Sequence, residues 1–552
     1  MSFRNSFRIV IYLVIIAGLL LLGIEAFLNF YFGKKLINTL TTGVQESTEG
    51  RYELKIERAG ISLFSRSVTL YNLKLSPKTC DNCSYSRTAF TAERFRINGI
   101  SLFSLIAKNE LEAKDIKLDR ANISIYQSVF KEGDDSAIGK RLSIYLLMKD
   151  KIKSVSISSI KIKDVGISVN NSGLTPVEIL KSRQNNIEIE NLLINQKVDS
   201  LNRLFFAEKL QLKMHSIDYI LNDLYLLSGK NLICSYEDSV MSVDSLKLIP
   251  HYKKRDFGEA AGKQMARVQL AANRVKFRQM NVKFFLEHNC LISKIAEITG
   301  LNINVNLDKN TDFKPTQKPS LQRVIRNIPF LLKVDSVYIK NSNVVYEHLA
   351  QQGKKPGIIS FNEINGNITG LNNSDTLLKS KNVLVFNART RFVNKADMQL
   401  SYSFPMNTDK EVFDCSGNLK PMNMRDINPM LENVANMSIE SGQLDTLTFS
   451  FHANELTASG NMKMFYHDLS IKMLNKNGGG NIGRKIMFLF AKTFIINKEN
   501  PDKRGKPGVT SIYYERYPYK YFFYYTWKSL QSGLMSAIGL RSQFLLKRTD
   551  SE

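Results

Sequence analysis

The chain has 552 residues, far more than one compact domain usually holds, and no strong Pro/Gly/Ser linker divides its middle. One elongated repeating body is therefore favoured over several separate domains. The formal charge of +25 at pH 7 suggests an anionic partner. Lys and Arg are scattered along outward positions of the predicted strands, whereas nucleic-acid modules cluster them beside stacking aromatics, so nucleic acid is excluded as a partner. A solvated basic face, or a surface close to anionic lipid headgroups, remains.

The N-terminal residues 1–33 predict a short cytoplasmic segment and a transmembrane anchor. Residues 9–32 are nearly all apolar and are interrupted only by Glu25 and Asn29. As a helix this stretch would span about 36 Å, enough to cross about 30 Å of hydrocarbon. An uncleaved signal anchor is favoured over a cleaved signal peptide, because no small-x-small cleavage site follows the apolar run. Arg4 and Arg8 before the run predict that the body lies outside the cytoplasm. The anchor residues are Ile9, Val10, Ile11, Leu13, Val14, Ile15, Ile16, Leu19, Leu20, Leu21, Leu22 and Ile24.

Residues 34–50, with some helical tendency, are predicted to link the anchor to a strand-rich body. The body repeats one phrase: a polar pair, then an apolar, a polar and an apolar residue. Because a side chain changes face at every strand residue, each phrase predicts a strand with one apolar and one polar face. We divide the body into 51–308 and 321–474, with a joint at 309–320. The phrases are Glu93–Ile97, Lys114–Leu118, Ser158–Ile162, Glu208–Leu212, Asp244–Leu248, Asn273–Phe277 and Asp335–Ile339.

Local patterns refine this prediction of the fold. The apolar phase shifts at Tyr71–Asn72, which predicts a bulge or a bend in the strand. Val282–Phe284 and Leu301–Leu307 are both predicted as strands, and the second has the cleanest alternation. Residues 141–152 are the best internal helix candidate. The predicted fold class is mainly β: a transmembrane helix, then an elongated, curled antiparallel sheet that forms a groove, with few short helices.

The C-terminal region, residues 475–552, differs from the body. It contains a Gly/Asn-rich break at 475–480, an apolar segment at 486–496, a basic loop and an aromatic stretch. Five apolar residues then recur at helical spacing and predict an amphipathic helix. Tyr and Trp favour the membrane interface, so the helix is interpreted either as an interfacial segment or as a plug at the end of the sheet. The five residues are Phe523, Trp527, Leu530, Leu534 and Ile538.

Residue patterns that carry catalysis or bind metal are sparse. None of the six histidines forms a His-x-x-x-His pair, and no nucleophile elbow, P-loop or dinucleotide fingerprint occurs. Cys80 and Cys83 are the only close cysteine pair and are interpreted as a loop disulfide or two free thiols. Cys234, Cys290 and Cys415 are expected to be buried strand residues. We therefore expect no enzymatic activity, no cofactor and no metal site.

Loose apolar patterns recur in a fixed order along most of the chain. They are Ile61–Leu73, Phe95–Leu102 and Ala121–Ile125 in the first half, and Gly442–Asp445 and Gly460–Leu469 in the second. In this order they resemble the AsmA-like family, which is similar to the bridge-like, repeating β-groove lipid-transfer proteins. The resemblance implies a protein of the inner membrane of a Gram-negative-type bacterium, with its body in the periplasm. It also implies an open apolar groove and a part in phospholipid movement or outer-membrane assembly.

The leading functional prediction is passive binding of phospholipid acyl chains along apolar strand positions, with headgroups left in water. The expected partners are phospholipid or another acyl lipid, the inner membrane and envelope-assembly proteins. The alternative is a closed, dry scaffold that carries no lipid, and an envelope enzyme acting on glycans is a third hypothesis. Which face of each strand points inward depends on bulges. The candidate lining residues are Ile160, Ile162, Leu210, Leu212, Leu246, Leu248, Val275, Phe277, Ile303, Val305, Val337 and Ile339.

Overall fold

The structure, a computed structural model, divides the chain into two compact units. Unit 1 comprises Met1–Ile220 and Gly229–Ser239, and unit 2 comprises Leu221–Ser228 and Val240–Glu552. Strands make up 59% of the structure and helices are few, which confirms a mainly β fold. The described residues are 23, 25, 27, 30–78, 86–127, 152–171, 177–196, 207–374, 382–408, 410–474, 496–501 and 509–539.

Unit 1 begins with a helix that leads into strands. A Cβ atom added to Gly33 in this helix would lie 3.0 Å from the Ala59 carbonyl oxygen, so the helix packs closely on the second strand. The Ser62 hydroxyl donates a 2.9 Å hydrogen bond to Glu25 in the same region. The elements are α1 (residues 30–47), β1 (Tyr52–Lys55), β2 (Arg58–Ser62), β3 (Ser67–Pro77), β4 (Arg87–Asn98), β5 (Glu110–Tyr126), β6 (Ser154–Asn170), β7 (Glu178–Ile194) and most of β8 (Lys209–Asn222) and β9 (Tyr225–Ser235).

Unit 2 contains the longer run of strands and a C-terminal helix that packs against the last two of them. Its elements are β10 (Val240–Pro250), α2 (Phe257–Ala260), β11 (Arg267–Met280), α3 (Val282–His288), β12 (Leu291–Thr299), β13 (Asn302–Asp308), α4 (Leu321–Arg326), β14 (Leu332–Leu349), β15 (Gly357–Asn372), β16 (Val383–Phe392), β17 (Ala396–Pro405), β18 (Phe413–Leu419), β19 (Met422–Asn423), α5 (Asn428–Met430), β20 (Met437–Ala453), β21 (Thr457–Met473), β22 (Val509–Glu515) and α6 (Phe522–Ala537).

The sheet is mixed, so the prediction of a purely antiparallel sheet is wrong. β5 pairs with β6 in parallel, and β14 pairs in parallel with both β12 and β13. A parallel pair needs a crossover connection of about a dozen residues or more. The chain supplies such connections between β5 and β6 and, through α4, between β13 and β14. The predicted joint at 309–320 lies on this second connection, inside unit 2.

The repeated phrases fall in the strands, as the alternation predicts. They lie in β4, β5, β6, β8, β10, β11 and β14, with only Glu208 placed one residue before its strand. The segment with the cleanest alternation lies in β13, except for Leu301, which directly precedes the strand. The apolar pattern therefore identified strands correctly over most of the described body, because a period of two matches the pleat of a strand.

The predicted irregularity at Tyr71–Asn72 is confirmed, since Asn72 adopts a left-handed conformation with φ 49°. Such a residue interrupts the pleat, so apolar side chains three positions apart can share a face. Leu118 and Ala121 flank a second such residue and belong to one apolar cluster. The sequence did not reveal that these interruptions recur in neighbouring strands of unit 1. They include Asn72 in β3, Arg120 in β5, Asp164 in β6, and Gln184 and Asn191 in β7.

Two local predictions are wrong. The segment Val282–Phe284 opens α3 and is no strand, because the Asn281 side chain accepts a 3.1 Å hydrogen bond from the Phe284 amide and caps a helix. Cys290 is half-buried in the connection after that helix, and its thiol donates to the His288 carbonyl oxygen at 3.3 Å. Cys234 and Cys415 are buried strand residues, as expected.

Several predictions fall on residues that the structure does not describe. Within the described part of the chain, no helix combines the length and apolar character that crossing a membrane requires. The predicted segments outside the described residues are all twelve anchor residues from Ile9 to Ile24, the pair Cys80 and Cys83, residues 141–151 of the helix candidate, the break at 475–480, residues 486–495 of the apolar segment, and residues 502–508 of the basic loop.

Candidate functional site

Two lateral rows of apolar side chains cross seven strands of unit 1, from β2 to β8. Directly opposed residues of paired strands lie on the same face of a sheet, so each row belongs to one face. One row consists of Ile61, Val68, Ile97, Ile116, Ile160, Ile189 and Leu210. The other consists of Ala59, Leu70, Phe95, Leu118, Ile162, Ile187 and Leu212.

A polar row lies between these two apolar rows in the sequence and faces the other way. It contains Thr69, Arg96, Lys117, Lys161, Glu188 and Gln211. The four candidate lining residues of unit 1 therefore share the apolar face. Leu210 is buried, whereas Ile160, Ile162 and Leu212 are half-buried. This apolar face is thus only partly covered.

The longest apolar row of unit 2 crosses eleven strands. Its members are Met241, Phe277, Ala296, Val337, Ile368, Phe386, Tyr402, Cys415, Phe451, Gly460 and Ile512. The row beside it contains the predicted Val275 and Ile339, which both oppose Ile298. Residues two positions apart in a strand lie on the same face, so both rows line one surface.

A further apolar row of unit 2 crosses six strands on the same face. Phe386 of the first row and Phe392 of this one lie six residues apart in β16, whose pairing with β17 is regular throughout. An even separation in a regular strand places both side chains on one face. Val305 extends the surface by opposing Val268 and Tyr346. The row is Leu248, Leu270, Ile303, Val344, Phe361 and Phe392.

The opposite face of unit 2 is polar and carries ion pairs. Arg274 contacts Asp244 at 2.7 Å, and Arg278 and Lys340 both contact Glu297. The aligned polar row is Ser242, Lys276, Glu297, Tyr338, Asn367, Asn387, Ser401, Ser416, Ser450, Asn461 and Ser511. The eight candidate lining residues of unit 2 all lie on the apolar face, away from these charges.

Coverage of the apolar face of unit 2 differs between its two ends. Cys415, Phe451 and Ile512 are only 1–3% exposed. Toward β10, the side chains of Met241 and Phe277 in the same row are half-buried. Among the predicted lining residues of unit 2, only Val337 is buried, and the other seven are half-buried. The apolar face is therefore closed near β22 and partly open from β10 to β15.

Helix α6 closes the covered end. The Phe522 ring packs edge-on against Tyr402, Phe404 and Phe413 at centroid distances of 5.6–5.9 Å. The Tyr525 hydroxyl donates a 3.0 Å hydrogen bond to the Asn454 carbonyl oxygen. These contacts support the interpretation of the C-terminal helix as a plug.

The five predicted tail residues do not share one environment. Phe523 and Trp527 are 71% and 45% exposed and point away from the sheet. Leu530 and Leu534 are partly buried against the apolar core, and Ile538 is buried one residue beyond the helix. The sequence missed the residues that seat the helix, because they are mainly small or hydroxylated. The buried positions are Phe522, Tyr525, Thr526, Ser529, Ser532, Gly533 and Ala537.

Basic side chains lie near His348 at the end of β14. Burial and the charges of Lys309, Lys528 and Lys520 lower the pKa of His348 to about 4. Burial also raises the pKa of Tyr346, two residues away on the apolar face, to about 12. Lys520 places its ammonium 3.6 Å from the centre of the Phe313 ring. Cationic groups therefore lie near the end of β14 that carries His348.

Within the described residues, no group of three or more His, Cys, Asp or Glu side chains is arranged to hold a metal ion. The apolar face offers contact with apolar groups, and lysines lie near its edge at the end of β14. A comparison of the chain with protein-family models and with curated proteins found no match.

Proposed function

We propose that the chain binds phospholipid acyl chains on the apolar faces of its two units. The observation that carries this proposal is the row of half-buried side chains from Leu248 to Phe392. Soluble proteins rarely leave large contiguous apolar patches exposed unless the patch binds something. A partly open apolar strip with polar edges suits a ligand that is itself apolar along one length and polar at one end.

The size of the strip fits an acyl chain. Neighbouring strands lie about 4.8 Å apart, so six strands span about 24 Å and seven strands about 29 Å. One leaflet of a bilayer has about 15 Å of hydrocarbon, half of the roughly 30 Å core. Each methylene moved from water contributes about 0.8 kcal/mol, so binding needs no specific polar site. The polar headgroup would stay at the solvated edge.

The proposed setting follows the resemblance to the AsmA-like family. The protein would be anchored in the inner membrane of a Gram-negative-type bacterium, with both units in the periplasm, and would contribute to lipid transport or outer-membrane assembly. The support is the order of the apolar patterns and the apolar segment at residues 9–32. A passive surface requires no catalytic residue and no cofactor, so the proposed activity is transfer without chemical change.

A scaffold without lipid is the second candidate function, and the closed end of unit 2 favours it. Tyr402, Phe413 and Phe451 are buried there beneath α6, which leaves that end dry. If the partly open end were covered in the same way by a protein partner, the apolar rows would be an interface. The two candidates differ in what contacts Ile303 and its neighbours.

Site-specific photocrosslinking separates these candidates. A benzophenone amino acid would replace Ile303, on the apolar face, or Asn304, which is exposed on the opposite face of the same strand. After irradiation of the full chain in its membrane, mass spectrometry would identify the adducts. Lipid adducts at position 303 and their absence at 304 are expected. Protein adducts alone at 303, or equal lipid labelling at both positions, would refute lipid binding on this face.

A charge substitution tests the same surface by function. Val305→Asp places a carboxylate on the apolar strip, whereas Asn304→Asp places it on the polar face. We expect the first substitution to abolish lipid adducts from a probe at Ile303 and the second to preserve them. Circular dichroism of both variants would show whether the fold is intact.

A further inference from the structure

Helix α6 has an unusual distribution of side chains. Its inward stripe is made largely of small or hydroxylated residues, among them Ser529, Ser532, Gly533 and Ala537. A Cβ atom on Gly533 would lie 2.9 Å from side-chain atoms of Ile512 and Met462, so the helix backbone sits close to β21 and β22. The small residues thus allow close approach of the helix backbone, while Phe522 and Tyr525 supply the aromatic contacts of the inward face.

Two aromatic residues of α6 also lie on its outward side. Phe523 is 71% exposed and Trp527 is 45% exposed, and Tyr521 just before the helix is 55% exposed. Tyr524, Leu530, Leu534 and Met535 are partly buried and pack against the apolar core. A helix on a globular surface usually directs its apolar stripe to the core and its polar residues to water. Here Phe523 and Trp527 lie on the outward side in addition to the buried stripe, so the outward side of α6 suits an apolar environment.

The charges beside this surface are positive. Lys528 lies on the helix with its ammonium 5.5 Å from the centre of the Tyr524 ring, and Lys318 lies 5.3 Å from that of Tyr521. Lys520 precedes the helix by two residues. The sequence from 517 to 549 contains no Asp or Glu. Aromatic residues flanked by lysines, with no acidic residue nearby in the sequence, complement an anionic bilayer surface.

We propose that the outward side of α6, centred on Phe523 and Trp527, docks unit 2 on an anionic lipid bilayer. The aromatic rings enter the headgroup region, where an apolar ring with a polar edge is favoured. Lys318, Lys520 and Lys528 contact the headgroup phosphates. This docking surface is separate from the apolar strip of β10 to β15. The docking proposal therefore does not depend on lipid binding at that strip.

Trp527 is the only tryptophan of the chain, so its fluorescence reports on this surface alone. The full chain would be reconstituted in nanodiscs of phosphatidylcholine. It would then be mixed with acceptor vesicles that contain brominated phosphatidylglycerol, whose bromine atoms quench tryptophan. We expect quenching and a blue shift of the emission. Acceptor vesicles of brominated phosphatidylcholine should quench much less.

Variants test which side chains act. Phe523→Ser keeps the reporter and should weaken vesicle binding, whereas Tyr338→Ser removes an exposed aromatic ring from the polar face of β14 and should not. Lys520→Gln and Lys528→Gln should each weaken binding about fivefold, because a basic residue near an anionic surface contributes on that scale. Val305→Asp should leave the quenching intact.

Three outcomes would overturn the proposal. The first is no quenching by either vesicle, and the second is equal quenching by anionic and neutral vesicles. The third is a blue shift that depends on protein concentration without acceptor vesicles, which would assign the surface to contact between copies of the chain.

Discussion

Glu411 and Arg516 form a buried ion pair beneath the start of α6. Nε of Arg516 donates a 2.6 Å hydrogen bond to Glu411. Arg516 is 7% exposed and Glu411 is 5% exposed. Nη1 of Arg516 also donates to the Tyr517 and Lys520 carbonyl oxygens, and its guanidinium lies 5.1 Å from the Tyr525 ring centre. The pair therefore joins the loop before β18 to the segment that leads into α6.

Removal of one partner of this pair should destabilise unit 2. Arg516→Met leaves the Glu411 carboxylate buried without its cation, which typically costs about 3–5 kcal/mol. The double variant Glu411→Leu/Arg516→Met should recover most of that loss, because it leaves no buried charge. Urea unfolding followed by Trp527 fluorescence measures the difference. A single variant as stable as the wild type would show that the pair does not hold α6.

Acid should destabilise unit 2 through His348. The pKa of His348 is lowered from 6.5 to about 4 in the folded chain, so the unfolded chain binds this proton first as the pH falls. The associated stability is complete above pH 6.5 and is lost between pH 6.5 and 4. A shift of this size corresponds to about 3 kcal/mol.

The His348→Gln variant isolates that contribution. It should flatten the dependence of Tm on pH between 6.5 and 4, because Gln does not titrate. Thermal unfolding of both proteins across this range is the measurement. Parallel curves for the variant and the wild type would contradict the assignment to His348.

Gly460 is required by close backbone approach in β21. A Cβ atom there would lie 2.2 Å from the Ser450 carbonyl oxygen and 2.4 Å from Cα of Phe451, and backbone atoms in a paired strand cannot move aside easily. Gly460→Ala should lower the free energy of unfolding by about 1–3 kcal/mol. Ser459→Ala, at the exposed neighbouring position, should have little effect in the same unfolding assay.

Substitution of Gln184 by glycine should raise the stability of unit 1, whereas the same substitution at an ordinary strand residue lowers stability. It adopts φ 53° within β7, a conformation that costs an L-residue about 1–2 kcal/mol but that glycine adopts freely. Gln184→Gly should therefore stabilise unit 1 slightly. Gln211→Gly, in the regular part of β8, should destabilise it. Hydrogen exchange of the β7 and β8 amides would detect both changes, and equal signs would contradict the strain at Gln184.

The face on which the candidate lining residues lie could be predicted, because a strand has only two faces and its side chains alternate between them. Ile160 and Leu210 were assigned to one surface from local phrases alone, and both oppose Ile189 in the sheet. The parallel pairing of β5 with β6 was not predictable in this way, since it joins strands separated by a long connection. The helix at Val282–His288 was missed because its main local determinant is one capping side chain, Asn281.

The C-terminal helix shows the limit of periodicity most clearly. The spacing of Phe523, Trp527 and Leu530 predicted an amphipathic helix, but it did not identify the side that meets the sheet. Close approach at Gly533 and the fit of Phe522 among Tyr402, Phe404 and Phe413 decided that side. Which side of a helix packs against a sheet depends on the shape of the sheet surface, and a local sequence pattern carries no information about that shape.

The sequence by itself determined most of the strands and, between interruptions of the pleat, which side chains share a face, because both follow from the two-residue period of the backbone. Only the tertiary structure decided which strands pair, where most of the left-handed residues interrupt the pleat, and how far the apolar face is covered. These properties depend on contacts between distant segments. In unit 2 those contacts close the apolar face beneath α6 and leave it half-buried from β10 to β15.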